Sequence, residues 1–373
     1  MPTTQSTDTL IIGAGVIGTS IAYHLSKAGV QTTIVERAEI AAEASSAAAG
    51  LLAPAGVLTG PKAGADLFLA SWAITPELIA EIEELSGVQV EYHRTGSLHV
   101  VTDANGQPRL RGYAKAWQAH DAGVTWLTGN QVHQYDPLLN PAIDAALYVP
   151  HAASIKPPLM TRAYAEAARK LGAQIYEHTE VTGLQHSSGK VTGVHTAQQE
   201  TITCNRLVIA TGAWSAHIGS WLGLTIPVFP ARGQILSLKQ PSTPLTHVIF
   251  GNDLYLVPKL DNTIYVGATV EQVGFDKSNT VGGIIWLLSH ALQLVPAFEH
   301  ATLANIWAGL RPMSQDSYPI LGNVPGWENV ILATGHGAGG FELSAITGKT
   351  IAELITTGQT PALIRPFGLE RFM

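Results

Sequence analysis

The chain has 373 residues, 46% of them apolar and only 13% charged, with a formal net charge of −7. Such a composition buries a large interior, which excludes disorder, and its scattered acidic surplus offers no basic face for nucleic acid. The length exceeds one simple core and points to two domains, or to one with a large insertion.

Cys204 is the single cysteine, so neither an internal disulfide framework nor a cysteine-based zinc site can form. The count fits a reducing compartment. The N-terminus, MPTTQSTDTLIIGAGVIG, lacks a positively charged start and a cleavage pattern. No window reaches the roughly 18 unbroken apolar residues of a membrane span. A cytoplasmic protein with no membrane partner is the expectation.

In chain order, the apolar run TLII (9–12) predicts a strand, followed by Gly13, Gly15 and Gly18. Ile17, Ile21, Leu25 and Ala28 then stand at helical spacing, and Gly29 suits the helix end. QTTIVE (31–36) reads as a second strand closing on Glu36, which completes a strand–helix–strand unit. Residues 45–54 (SSAAAGLLAP) are small enough to let backbone approach a ligand or a helix. A helix is expected over 74–86 with Pro76 in its first turn, two strands over 89–102 around Gly96, and another helix over 109–121. Further on, a helix ends at Gly172, and a strand over 174–178 leads into a polar hairpin-like stretch. RLVIATGAWS (206–215) is a buried strand breaking into a glycine turn. Residues 234–239, 254–258 and 263–267 are strand-like, with Asp261 and Asn262 turning between the last two. VILATGHGAGG (330–340) is a strand entering a glycine-rich turn, and a helix is expected over 343–357.

Strands and helices alternate at both ends, while the middle is rich in strands. The expected class is α/β: a Rossmann-like nucleotide domain whose chain leaves twice to build a mostly antiparallel β-sheet domain with helices.

GAGVIG (13–18) matches G-x-G-x-x-G between a strand and a helix. Gly13 would make the tight turn, Gly15 would admit a pyrophosphate, and Gly18 would permit close helix–strand packing. The helix N-terminus, at Val16 and Ile17, offers unpaired N–H groups to phosphate. Glu36 would accept from ribose hydroxyls and disfavours a 2′-phosphate. The loop alone does not separate FAD from NAD.

Several later segments, in order, resemble the FAD-dependent amine and amino-acid oxidases of the D-amino-acid oxidase superfamily, and within it the glycine oxidases of the thiamine-biosynthesis type. They are ER with ASSAAAGLLAP (36–37, 44–54), RTGSLHV (94–100), LMTRAYAEAARKLGA (159–173), VIATGAWS (208–215), ARGQIL (231–236), LYLVP with YVGATVEQVGFD (254–258, 265–276), AGLRPMSQDSYPILG (308–322) and ATGHGAGGFELSAITGK (333–349). The resemblance implies FAD, with residues 1–85, 150–225 and 305–373 forming its domain and 86–149 and 226–304 the substrate domain. It implies that Glu36 and Arg37 meet the adenosine part, that Ser45, Ser46, Ala49 and Gly50 line pyrophosphate and flavin, and that Val181 meets adenine through its backbone. Thr211 and Gly212 would sit by the dinucleotide. His336, Gly337, Ala338, Gly339 and Gly340 would bring N–H groups to the flavin, where such donors stabilise the reduced ring's negative charge. Where relatives carry a flavin-linking Cys or His, this chain has Ala308-Gly309-Leu310-Arg311 and Ser46-Ala47, so the expected FAD is non-covalent.

An amino-acid substrate needs its carboxylate fixed, and a guanidinium fixes it with two parallel hydrogen bonds. Arg311, flanked by apolar and small residues, is the expected anchor; the competing reading pairs it with Asp316. Tyr255 either helps hold the substrate, as the resemblance implies, or packs in the core. Gln272 to Asn279 is either a mobile lid or an ordinary loop. His336 either touches flavin or substrate, or serves as a hydrogen-bonded turn residue. Ala338 stands where glycine oxidases carry an arginine, leaving less positive charge and more room, which admits a bulkier or N-substituted amino acid or another amine.

The expected activity is FAD-dependent oxidative deamination of a small amino acid or amine of the glycine, sarcosine or D-amino-acid kind. Hydride passes to flavin N5, giving imino or keto acid and ammonia, with O2 as the expected electron acceptor and peroxide as product. The alternative is a dehydrogenase of the same fold passing electrons to a quinone or a partner subunit. Association into a homo-oligomer is left open.

Overall fold

A computed structural model describes residues 5–53, 57–101, 106–121 and 123–373. The first residues of the N-terminal segment, Pro54 at the end of the small-residue run and Thr102 at the end of the second expected strand lie outside the described residues.

Gln5–Ile12 runs through the middle of the first sheet. It pairs in parallel with Thr32–Val35 on one side and Thr201–Ile209 on the other, so Ile11 stands level with both Ile34 and Val208. Gln174–Tyr176 and Val330–Thr334 extend the parallel set outward, and Ile320–Asn323 closes one edge antiparallel. The carboxyl-terminal parts of the strands flanked on both sides, residues 10–12, 34–35, 207–209 and 330–333, are apolar runs, as burial on two faces requires. Val181–Ser187 and Lys190–Thr196 form an antiparallel meander leading into Thr201–Ile209. Cys204 is buried in that last strand, and burial pushes its thiol up to about 12.

The helices Val16–Lys27, Lys62–Ser86, Pro157–Lys170 and Gly340–Thr357 pack on one another. Ile21, Leu25, Ile34, Ile82, Met160 and Ile351 share one core there. The helix ending at Ser86 is longer than expected: it begins at Lys62 and carries Pro76 in its interior. Its buried stripe, Leu67, Phe68, Ser71, Thr75, Ile79 and Ile82, runs uninterrupted past the proline, so packing outweighs the local break that proline imposes.

The second sheet runs in the order Leu303–Ser314, Val228–Lys239, Thr263–Gly267, Leu254–Pro258, Val248–Gly251, Ser97–Val100, Ala145–Val149, Thr125–Thr128. All its pairs are antiparallel except Val248–Gly251 with Ser97–Val100. The helix Val281–Leu294 covers it, joining Leu287 and Leu294 to Leu98, Leu256 and Ile264. Two expectations are corrected here. Before Gly96, at φ +73°, only a single bridge from His93 to Ser154 forms, so one strand rather than two lies in 89–102. Leu303–Ser314, expected in the FAD domain from residue 305, pairs along its length with Val228–Lys239 in the second sheet.

Among the described residues no helix is long and apolar enough to cross a membrane, and no cluster of side chains could hold a metal ion.

Candidate active site

The carboxyl ends of the parallel strands Gln5–Ile12, Thr32–Val35, Thr201–Ile209 and Val330–Thr334 lead directly into the glycine loop, Glu36, Thr211-Gly212 and His336. Ligands of open α/β sheets bind in the crevice outside such ends. Gly13 sits at φ +108° and its N–H bonds Val35 O at 2.9 Å. A Cβ on Gly18 would lie 2.0 Å from Gly13 O, so that glycine packs helix against strand and lines no cavity. Val16–Lys27 starts at Gly15, where its first N–H groups have no intrahelical partner. One of them, Val16 N–H, is capped by Ser45 Oγ at 2.9 Å. Glu36 accepts from Ala14 N–H at 2.8 Å and Ala38 N–H at 3.0 Å, which fixes its carboxylate at the loop.

Two cavities, of about 510 and 170 Å³, meet at a waist of Gly15, Ala44, Ser45, Ala210, Gly212 and Leu310. The smaller holds Gly13, Glu36, Arg37, Val181, Thr211 and, unanticipated, Glu43 and Trp214. Arg37 lies 3.9 Å from the Trp214 ring centroid and pairs with Glu43 at 3.1 Å.

The larger cavity holds Val16, Ile17, Ala49 and Gly50, the turn His336 to Gly340, Tyr255 and Arg311. Ser46 is a correction: its side chain is exposed, its Oγ donates to Glu43 O at 3.0 Å, and it lines neither cavity. Adjacent positions on the short helix Ala44–Ala47 point in different directions, so only one serine of the pair faces the site. Lys259, also unanticipated, donates to Ala49 O at 2.5 Å and Ile155 O at 2.9 Å, anchoring the small-residue run from behind. Burial lowers its ammonium to about 7.

The glycine-rich turn becomes helix at Gly340, three residues earlier than expected. Gly337 N–H bonds Pro312 O and Gly339 N–H bonds His336 O, both at 2.9 Å. The N–H groups of the first helical turn, from Gly340 onward, are those a helix cannot satisfy itself. The buried His336 ring bonds Thr347 Oγ1 at 3.1 Å, and burial depresses it to about 3, so it is neutral. Glu342 accepts from Ala53 N–H at 3.2 Å, and burial raises its carboxyl to about 8.

Arg311 stands opposite Ala231 in the long strand pair. Its guanidinium lies over Gly233: a Cβ there would come 2.4 Å from Nη1 and 2.6 Å from Nη2. Nη1 donates to Thr269 O at 2.9 Å. Among the described residues no carboxylate pairs with Arg311. Asp316 is instead held by Arg371, with Nε–Oδ2 at 2.7 Å and Nη2–Oδ1 at 3.0 Å. The Tyr255 ring lies over Gly267, where a Cβ would meet its hydroxyl at 2.7 Å. Burial raises the Tyr255 phenol, and the Arg311 charge acts against that. The two glycines are thus seats for the two side chains, a relation set by strand register. No residue from 272 to 279 lines the larger cavity; Phe275 instead packs against Trp214 and Lys277 against Glu43.

The residues present fit a dinucleotide. The joined cavity is long, its waist is built of small side chains apart from Leu310, and a Cβ on Gly15 would meet only Ser45 Oγ at 3.2 Å. A helix N-terminus faces the waist, a carboxylate marks one end, and an arginine with no carboxylate partner among the described residues marks the other.

Residues 8–354 match the family model described as DAO, FAD dependent oxidoreductase. The chain is 33% identical over 371 residues to the glycine oxidase of Geobacillus kaustophilus, covering 99% of this chain and 98% of that protein. The crystal structure of glycine oxidase from that organism superposes with a TM-score of 0.92, covering 99% of this chain and all of that one. The hydrogen cyanide synthase subunit HcnC of Pseudomonas aeruginosa is 33% identical over 400 residues, covering 98% of this chain and 96% of that subunit.

Proposed function

The chain belongs to the DAO family of FAD-dependent oxidoreductases, and on that premise we propose that it oxidises the C–N bond of a small amino acid or amine of the glycine, sarcosine or D-amino-acid kind. The observation that carries the substrate end is Arg311: a half-buried guanidinium in the larger cavity, seated on Gly233, with no carboxylate partner among the described residues. A side chain left so is matched by the carboxylate of an amino acid.

In this reading the smaller cavity takes the adenosine half of non-covalent FAD, with Glu36 on the ribose, Val181 at the adenine, and Arg37, Thr211 and Gly212 alongside. Gly13, Gly15, Val16 and Ile17 present the helix N-terminus to the pyrophosphate, with Ser45 beside them. Ala49, Gly50 and the turn from His336 to Gly340 surround the flavin. The cofactor domain takes residues 1–85 and 150–225 and resumes after Ser314; residues 86–149 and 226–314 build the substrate side. FAD supplies the two-electron acceptor for the substrate's α-hydrogen.

The protein's share is orientation. The neutral amine binds with its carboxylate on Arg311, and Tyr255, kept protonated by burial, donates beside it. His336, neutral and held by Thr347, shapes the wall without adding charge. The imino product hydrolyses to a carbonyl product, a keto acid where the substrate is an amino acid, and to ammonia, or to the substituted amine where the nitrogen carries a substituent; O2 is the proposed electron acceptor, giving peroxide. The likeness to a subunit of hydrogen cyanide synthase supports a second reading, in which electrons pass to a partner subunit.

The test is to record the visible spectrum of the purified protein, add a panel of amino acids and amines in air, and follow bleaching and peroxide. Flavin bands bleached by one amino acid with peroxide formed are the expected result. Bleaching without peroxide favours the second reading; a colourless protein that takes up no added FAD overturns both.

A further inference from the structure

The segment Gln272 to Asn279 leaves the second sheet and reaches the first. Lys277 Nζ pairs with Glu43 at 3.0 Å, and Glu43 pairs with Arg37 at 3.1 Å. Arg37 lies 3.9 Å from the Trp214 ring centroid, and the Phe275 ring lies 5.2 Å from the same ring, tilted by 31°. These contacts run as a chain of five side chains, Phe275, Trp214, Arg37, Glu43 and Lys277, whose two ends stand two residues apart on one segment, and three of them, Arg37, Glu43 and Trp214, line the smaller cavity. Phe275 remains 51% exposed, so its contact with Trp214 is made at the surface rather than in a core.

The base of the segment is fixed. Arg232, 3% exposed, donates to Asp276 and to Glu271, both at 2.7 Å, and to Ser278 Oγ at 3.2 Å. The bond from Arg232 draws the Glu271 carboxyl down to about 2, so the anchor stays ionised through the working pH range. Arg232 stands opposite Leu310, a residue of the waist.

We propose that Phe275 and Lys277 are positioning residues for the cofactor: they strap Trp214, Glu43 and Arg37 into the wall of the adenosine end, and FAD leaves when this strap detaches. A lone exposed ion pair contributes little. Here Trp214, Arg37 and Glu43 each have two neighbours, Phe275 and Lys277 hold the two ends from one segment, and that segment is anchored by a buried arginine, so the contacts reinforce one another. The inference rests on the assignment of the smaller cavity to adenosine.

The experiment follows FAD release from diluted holoenzyme by the rise in free flavin fluorescence. Phe275→Ala and Lys277→Glu are expected to release FAD at least about tenfold faster, equivalent to about 1.4 kcal/mol. Phe275→Tyr and Lys277→Arg should restore retention, and Val273→Ala, on the same segment and 41% exposed, should release at the wild-type rate. Added salt should speed release from the wild type, because the Lys277–Glu43 pair is exposed to screening, and should not speed it further in Lys277→Glu. Rates within threefold of wild type for both Phe275→Ala and Lys277→Glu overturn the strap, as does a salt-independent wild type. Glu36→Ala separates the two failures. If it too leaves release unchanged, the adenosine assignment is wrong; if it speeds release while the strap variants do not, only the strap is wrong.

Discussion

Gly233→Ala tests the substrate anchor without touching Arg311. Gly233 lies in a strand outside the left-handed region, so alanine adds no backbone strain. Carbon–nitrogen contacts settle at roughly 3.5 Å, so a methyl built 2.4 Å from Nη1 pushes the guanidinium back by about 1 Å. The backbone beneath is held by a long antiparallel pair, so the flexible side chain yields, not the strand. A misplacement of about 1 Å in an orienting group costs about 100-fold in rate, or about 2.7 kcal/mol of transition-state stabilisation. Stopped-flow reduction of the flavin, with the best amino acid of the panel and with the matching amine that lacks a carboxylate, reads the effect. The amino acid should lose about two orders of magnitude in kcat/KM, and the amine should change little. Equal losses for both, or none for the amino acid, would refute the role given to Arg311.

Two further outcomes follow from groups around the site. Asp316→Ala should lower stability by about 1 kcal/mol through loss of the Arg371 pair while leaving the amino-acid KM within twofold; a fivefold rise in KM would return Asp316 to the site. His336 is buried and its folded value, about 3, lies below an unfolded value of about 6.5. The unfolded chain therefore binds more protons between those values, and stability falls as pH falls through that window. From pH 7.5 to 5.5 the group removes on the order of 1 kcal/mol, so urea melts of His336→Asn should lose that part of the pH dependence; an unchanged slope would refute the burial argument.

Local patterns carried the strand–helix–strand unit around the glycine loop. The apolar run before Gly13, the helical spacing after it and Glu36 after the next strand each express their place in the fold within a few residues. What escaped was set by distant contacts. Pro76 marks a helix start by local rules, yet a buried stripe carries the helix through it. Ser45 and Ser46 are equivalent as letters and point differently once the turn forms. The seats of Arg311 and Tyr255, Gly233 and Gly267, depend on strand register, which no single segment states. The assignment of Leu303–Ser314 to the second sheet has the same cause, since its partner lies some seventy residues upstream. The stretch 272–279 carries no local sign that it packs on residues of the smaller cavity rather than the larger; only its side-chain contacts with Trp214 and Glu43 reveal that.

On the proposed placement of FAD, the waist between the two cavities acts as a ruler for the cofactor. Five of its six residues, Gly15, Ala44, Ser45, Ala210 and Gly212, are among the smallest side chains available, and Leu310 is the one large member. Close packing lets a void persist only where no side chain reaches into it. Branched residues in place of two or three of these would partition the channel into compartments of mononucleotide length. The preference for a dinucleotide over its flavin mononucleotide half therefore resides in missing atoms at the waist as much as in hydrogen bonds at either end.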